Sequence, residues 1–424
     1  MGTWENFQFL DFPMKHPFLL AILIVITHCL DFNEYDFFKS KCGKFVLLPI
    51  FILIERTCIF PDASCIFNGN DLNSTTIGSF PNTCTTICTN LGINNHCDLS
   101  ENQLILAFQN VKHLIGSLIL FKTKFTSAKF LRTLESVECG LADFTIAYNP
   151  KMEEIGMTNL LTIKCSFINI HGNEEMKKLN IPNFKYASPS AEYLEANKSK
   201  IEINIDSEKY GFCITSVEMY NFINIDNVNL KKLGGGICEP GIQPSSGKLC
   251  NASYNVDEET EIQDGCTQMF GKLVINSKNV QNVQKLSSVE IIFGVLYIEK
   301  TNLTTIDFLQ NLKYISALGY GYPAITVQNN PYLSNFSFPN LKRIKNNGES
   351  SVVFTNNTQE FILDPKYCSF FEDELGQDGW ERPSFDGKSC YTLIKEANTR
   401  PPYKFAKNLD LITVLLLMSI SQIV

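Results

Sequence analysis

The sequence predicts a mainly β protein with short helices, arranged as two right-handed β-solenoid lobes. Three observations lead there. A block of sequence occurs twice, a short apolar-x-apolar triplet recurs within each block, and turn-forming dipeptides separate the triplets.

The duplication is the firmest of the three. Cys84 to Ile93 aligns with Cys266 to Ile275, Gly116-Ser-Leu118-Ile-Leu120 with Gly294-Val-Leu296-Tyr-Ile298, and Phe130-Leu131 with Phe308-Leu309. Asn149-Pro150 falls on Asn330-Pro331 at the same offset of about 180 residues, a register that chance does not hold.

Within each copy the triplets return at a period of roughly 25 residues. They are Leu91-x-Ile93, Leu118-x-Leu120, Phe144-x-Ile146 and Ile168-x-Ile170, then Leu273-x-Ile275, Leu296-x-Ile298, Ile325-x-Val327 and Val352-x-Phe354. Each reads as a short strand whose flanking residues face a core and whose middle residue faces out. A strand, a turn-rich arc and a return make one coil, which buries its apolar side only by stacking on the next. The repeat length is near that of a leucine-rich repeat, but the rung is irregular and lacks the asparagine ladder of that repeat.

The run from Phe293-Gly294-x-Leu296-x-Ile298 through Phe308-Leu309, Ile325-x-Val327, Asn330-Pro331 and Phe338-Pro339-Asn340-Leu341 to Ile344 resembles the receptor L domain. That module forms the ligand-binding lobes of insulin and EGF receptors. The paired arrangement is similar to kinase-less nematode proteins with two L domains. The resemblance implies an extracellular protein that binds a secreted polypeptide of insulin or growth-factor type, as a decoy or co-receptor. The other reading is a structural or adhesion protein acting through lobe–lobe association.

On this reading the chain divides into a leader at 1–57 with one or two hydrophobic signal-like segments and a cysteine-containing segment at 58–83. The first L domain follows at 84–213, a linker with a small disulfide loop at 214–265 and the second L domain at 266–368. A polar segment at 369–408 and a hydrophobic tail at 409–424 close the chain. Gly234-Gly235-Gly236 reads as a flexible hinge, and Cys238 and Cys250 as the linker's disulfide loop. The receptors' long cysteine-rich domain between the lobes has no counterpart here, and no kinase follows the second lobe.

Composition agrees with the secretory route. Hydrophobic residues make up 44% and charged residues 19%, with a net charge of −8 and no basic block to track a phosphate backbone, so nucleic acid is excluded as a partner. Fifteen cysteines without metal-ligand spacing predict disulfides, the odd number leaving at least one thiol free, paired to another chain or inside a removed segment. Six Asn-x-Ser/Thr sequons, at Asn73, Asn197, Asn251, Asn302, Asn335 and Asn356, predict glycans. Small residues near Asn398, a spacer and the apolar tail from Leu409 to Val424 predict a membrane tether, either a GPI anchor attached at Asn398 or a short tail anchor.

No enzyme is expected. His96, His113 and His171 belong to no catalytic or metal spacing, and neither a nucleophile elbow nor a phosphate-binding loop is present, so no cofactor is implied. Binding is expected on the outward column of the stacked triplets: Val274, Tyr297, Thr326 and Val353 in the second copy, with Gly92, Ile119, Thr145 and Asn169 in the first. A second candidate is the loop Leu318 to Pro323, where Tyr320 and Tyr322 offer amphipathic rings.

Overall fold

The computed structural model describes residues 63–399 other than 70, 190–199, 208, 239–246, 253–260, 320, 349 and 376–381. The leader, Asn197, Tyr320 and the hydrophobic tail lie outside the described residues.

In the first lobe the strands come in pairs, one pair to each repeat. They are β1 (Thr86–Cys88) and β2 (Leu91–Asn94), β3 (His113–Ile115) and β4 (Leu118–Phe121), β5 (Ser136–Glu138) and β6 (Asp143–Ala147). Next come β7 (Thr162–Lys164) and β8 (Phe167–His171), then β9 (Tyr186–Ser188) and β10 (Ile201–Ile205). The first member of each pair joins a five-stranded sheet, β1-β3-β5-β7-β9, and the second a six-stranded sheet, β12-β10-β8-β6-β4-β2, closed by β12 (Val228–Leu233). Every pairing in both sheets is parallel.

The triplets account for the register. Leu91 pairs with Leu118, Leu118 with Phe144, Phe144 with Ile168 and Ile168 with Ile203, so like residues stack through the lobe. These flanking positions are all buried in one continuous core. Burial of such side chains at roughly 25 cal/mol per Å² is the main favourable term for a coil that has no core of its own.

The second lobe repeats the plan with longer strands. After β14 (Leu249–Asn251), β15 (Gln268–Ile275) and β16 (Ile291–Glu299) each run through both sheet directions without a break. Their first halves pair with β14 and β18 (Tyr314–Ala317), and β18 pairs with β21 (Arg343–Asn346). The second half of β16 pairs with β19 (Ile325–Gln328), then β22 (Val352–Thr355) and β23 (Ser384–Phe385). The corner between halves falls at Gly294, whose φ of +150° and approach to the Gly271 carbonyl leave no room for a side chain. Gly116 plays the same part in the first lobe against the carbonyl of Thr89.

A buried asparagine ladder runs through each lobe, contrary to the sequence expectation. Asn149 accepts from the backbone N–H and hydroxyl of Thr123 at 2.8 and 2.7 Å, while its own N–H donates to Asn173 Oδ1 at 3.0 Å. Asn149 and Asn173 donate their amides to the strand carbonyls of Leu120 and Ile146. Thr301, Asn330 and Asn357 form the matching set in the second lobe. The residue before each rung is turned into the left-handed region: Lys122, Tyr148 and Gly172 in one lobe, Lys300, Asn329 and Asn356 in the other. The turn leaves the strand, and the ladder residue then satisfies the backbone groups that the turn strands.

The stretch 214–265 is more than a linker. It supplies β12 and a helix, α1 (Ser216–Asn224), started by a full capping box between Thr215 and Glu218 and buried through Met219, Phe222 and Ile223. β13 (Gly236–Ile237) pairs in parallel with β11 (Cys213–Ile214), so the glycine run is built into structure rather than left as a hinge, and in the second lobe β17 (Thr305–Ile306) pairs in parallel with β20 (Asn335–Phe336). Cys238 bonds Cys213 and Cys250 bonds Cys266, so the expected Cys238–Cys250 loop does not form. Three further disulfides join Cys65 to Cys84, Cys139 to Cys165 and Cys368 to Cys390. Cys97 is a buried thiol whose pKa is pushed up by burial. Cys390 also opens the last described helix, Cys390–Thr399, which contains Asn398.

The lobes share a packed seam. Phe270, Ile291, Phe293, Tyr314 and Leu318 of the second lobe belong to the same apolar cluster as the first-lobe core, with Tyr220 of α1 and Ile237 packed against it. Arg343 Nη1 donates to the carbonyls of Ile223 and Ile225 at 2.8 and 3.1 Å, and the Tyr314 hydroxyl donates to Asn224 Oδ1 at 2.6 Å. Both side chains sit on the outer face of the second lobe's first sheet direction. The corresponding face of the first lobe carries Thr86, His113, Ser136 and Thr162 instead.

Candidate functional site

The six-stranded sheet of the first lobe presents an open face. Its outward residues are Gly92, Ile119, Thr145, Asn169 and Asn204, set in register across β2, β4, β6, β8 and β10. Ile119 is 41% exposed, although an isolated β-branched side chain on a folded surface is common and decides little alone.

What distinguishes this face is an aromatic ridge along its downstream edge. Phe121 and Tyr148 meet edge to face with centroids 5.6 Å apart, and Tyr148 meets His171 at 4.8 Å. Tyr148 is 51% exposed, and Lys122 Nζ stands 5.0 Å from the Phe121 ring centroid. The left-handed turn at Tyr148, with φ of +56°, places the ring on the ridge, and the buried Asn149 next to it anchors that turn. An amide chain approaches the ridge from the sheet. Asn204 Nδ2 donates to Asn169 Oδ1 at 2.8 Å, and Asn169 Nδ2 lies 3.4 Å from His171 Nε2. His171 Nδ1 is buried without a hydrogen-bond partner among the described residues. Asp206, one residue past β10, pairs with Lys232 of β12 at 2.5 Å.

The second lobe offers a different surface at the expected column. Val274 is 0% exposed and Thr326 8%, while Tyr297 and Val353 are half-buried. Tyr297 accepts a hydrogen bond from Gln328 Nε2, which also donates to Glu299. Alternation predicts an exposed residue only where the outer face meets water, and β15 is buried on both faces over most of its length. Val274 is therefore withdrawn from any ligand. Of the loop residues, Leu318 is buried in the seam and Gly319 packs on Gly236, closer than a side chain allows. Tyr322 stays half exposed under Lys272 Nζ, 4.5 Å from its centroid.

Sequence reasoning found Ile119, Thr145 and Asn169 but missed Phe121, Tyr148 and His171. Each of the missed residues lies one or two places past its triplet, where the strand ends, and the triplet pattern marks only the core positions. The aromatic residue directly before Asn149-Pro150 was the available signal.

Among the described residues no group of histidines, cysteines and acidic residues is placed to hold a metal, and no helix is long and apolar enough to cross a membrane. Of the described sequons, Asn251, Asn302, Asn335 and Asn356 are exposed and Asn73 is half-buried.

Two lobes of parallel strands, each with a buried ladder and one with an aromatic face, define a paired-repeat β protein. The Receptor L domain model matches residues 83–186 and 265–372, together half of the chain, and the protein belongs to that family. Its members are ligand-binding, non-catalytic modules that generally take polypeptides. No curated protein matches the chain. The family and five disulfides are those of a protein matured on the secretory route.

Proposed function

We propose that the protein is a membrane-tethered, extracellular binding protein that captures a secreted polypeptide of insulin or growth-factor type on its first lobe, as a decoy or co-receptor. The observation that carries this reading is exposed Tyr148 on half-buried Phe121 beside exposed Ile119, set against the closed column at Val274 and Thr326. Aromatic side chains held in place by their neighbours lose little entropy on binding and are the commonest anchors of protein interfaces. Tyr297, Val353, Tyr320 and Tyr322 would contribute only where a ligand reaches across to the second lobe. Parallel pairing at every repeat, together with the strong bias of parallel crossovers to one hand, supports right-handed, leucine-rich-like β-solenoid lobes. The leader, the sequons and the GPI-type tail with Asn398 fit the same cell-surface setting.

The test is binding of the full chain, purified from eukaryotic cells, to a panel of secreted polypeptides, insulin-like ones included, measured by surface biosensor. Tyr148→Ala is expected to weaken the captured polypeptide by about tenfold or more, as truncation of an interface anchor does. Absence of saturable binding to every member, with self-association of the chain instead, sinks this reading in favour of adhesion.

A further inference from the structure

The ridge that is aromatic in the first lobe has an equivalent in the second, and the equivalence is set by backbone. Lys122, Tyr148 and Gly172 precede the ladder residues Thr123, Asn149 and Asn173, and Lys300, Asn329 and Asn356 precede Thr301, Asn330 and Asn357. Asn356 thus occupies the place of Gly172, and Asn329 that of Tyr148. Asn356 and Asn302 are exposed and both begin a sequon, whereas the matching first-lobe positions, Gly172 and Lys124, begin none. Asn302 also lines a groove of about 460 Å³ together with Lys300, Asn329, Ser277, Val280 and Pro331. That size falls within the roughly 300–1,000 Å³ of small-ligand clefts. Its mixture of polar groups with a Val and a Pro suits a sugar ring, which has hydroxyls at its rim and C–H faces between them.

We propose that N-linked glycans on Asn302 and Asn356 cover the second-lobe ridge, the Asn302 glycan seating its first sugars in this groove, so that docking is confined to the first lobe. The consequence for docking rests on the proposed function, but the covering does not.

The chemistry is a group transfer from a lipid-pyrophosphate-linked oligosaccharide of the secretory pathway. The asparagine amide nitrogen forms a bond to the sugar's anomeric carbon, the bond from that carbon to the pyrophosphate oxygen breaks, and the nitrogen gives up one proton. The lipid pyrophosphate leaves with the bonding electrons. One N–H remains on the amide, enough to keep the hydrogen bond from Asn356 Nδ2 to Asn329 Oδ1, now 2.7 Å. The two sequons differ in timing. Thr304 is exposed, whereas Thr358 accepts from Phe361 N–H at 3.3 Å and donates to the Leu333 carbonyl. Asn356 is therefore modified before the second lobe closes.

The test needs no ligand, because each lobe carries a reporter lysine at the same place, Lys300 Nζ standing 3.4 Å from Glu299 and Lys122 Nζ 5.0 Å from the Phe121 ring. Lys300 and Lys122 are both exposed, both left-handed and one place before the ladder. The full chain is purified from eukaryotic cells, labelled briefly with an amine-reactive ester, and mapped by peptide mass spectrometry. Both asparagines are expected to be occupied, with Lys300 labelled several-fold more slowly than Lys122. The Lys300 rate, normalised to that of Lys122, should rise several-fold in Asn302→Gln/Asn356→Gln, or, if that variant folds poorly, in Thr304→Ala, and no rise in either overturns the covering. Either asparagine unoccupied, or both occupied with Lys300 and Lys122 labelled equally, overturns the proposal. Failure of the polypeptide panel leaves these rates untouched, so the two readings fail separately.

Discussion

Asn330 shows how much one side chain can hold. It is fully buried, accepts from the backbone N–H and hydroxyl of Thr301 at 3.0 and 2.7 Å, and donates to the carbonyls of Gln328 and Ile298 at 2.9 and 3.3 Å. Replacing it with alanine removes the partner of several buried polar groups at once, each costing about 1–3 kcal/mol when left unmade. Asn330→Ala is accordingly expected to lower stability by about 2–4 kcal/mol with an unchanged denaturant slope, measured by urea unfolding of the disulfide-intact chain. A loss too small to resolve would show that water replaces the rung. The ladder was hidden in the sequence for a physical reason. Its first rung is threonine in both lobes, and the asparagines follow strands of unequal spacing. Asn149-Pro150 and Asn330-Pro331 therefore read as turns, which is half of what they do.

Elements were legible where a single rule set them. The triplets gave the core strands and their register, because flanking residues that must be buried leave a period of two in the sequence. Helix α1 was equally legible yet fell inside a presumed linker: Thr215 and Glu218 stand at capping-box spacing before Met219, Phe222 and Ile223. The third side of the first lobe was not legible, since it is held by single bridges from Ser127 to Glu154 and from Glu154 to Lys178 rather than by apolar strands. There burial raises the pKa of Glu154, but hydrogen bonds from Lys129 and Asn180 and the nearby Lys178 outweigh it and hold the carboxyl below its usual range. A carboxylate lowered in the folded state stabilises above its unfolded pKa of about 4.3 and loses that contribution as pH falls through the folded value. Glu154→Gln is expected to lose on the order of 1 kcal/mol or less at pH 7, the range of partly exposed ion pairs, and to match the parent more closely near pH 3. Urea midpoints of both proteins at the two pH values check this. A gap that stays constant with pH would assign the loss to packing alone.

At the scale of the whole molecule the lobes are joined by a seam that no local pattern announced, because its hydrogen bonds pair residues 90 to 120 places apart. Arg343 is its polar centre. The guanidinium supplies donors to two carbonyls at the end of α1, Ile223 and Ile225, and burial pushes its pKa down while Tyr314 and Asp226 act in the opposite sense. A carbonyl end of a helix is the place where a cation is favoured, and an interface carbonyl without a donor is costly. Each lobe otherwise has its own apolar cluster, so the seam decides whether the two unfold together. Truncating Arg343 leaves both carbonyls unpaired inside the seam and removes the bridge from the second lobe to α1. Arg343→Ala is therefore expected to divide a single thermal unfolding transition into two, the seam losing about 2–4 kcal/mol for its two orphaned acceptors. Arg343→Lys, which restores one charged donor, should recover part of the coupling but not all of it. Scanning calorimetry of the three full-length proteins distinguishes the outcomes. One transition in all of them would mean that Phe270, Ile291 and Phe293 hold the lobes together by apolar contact, and two in the parent would mean that the seam does not couple them at all.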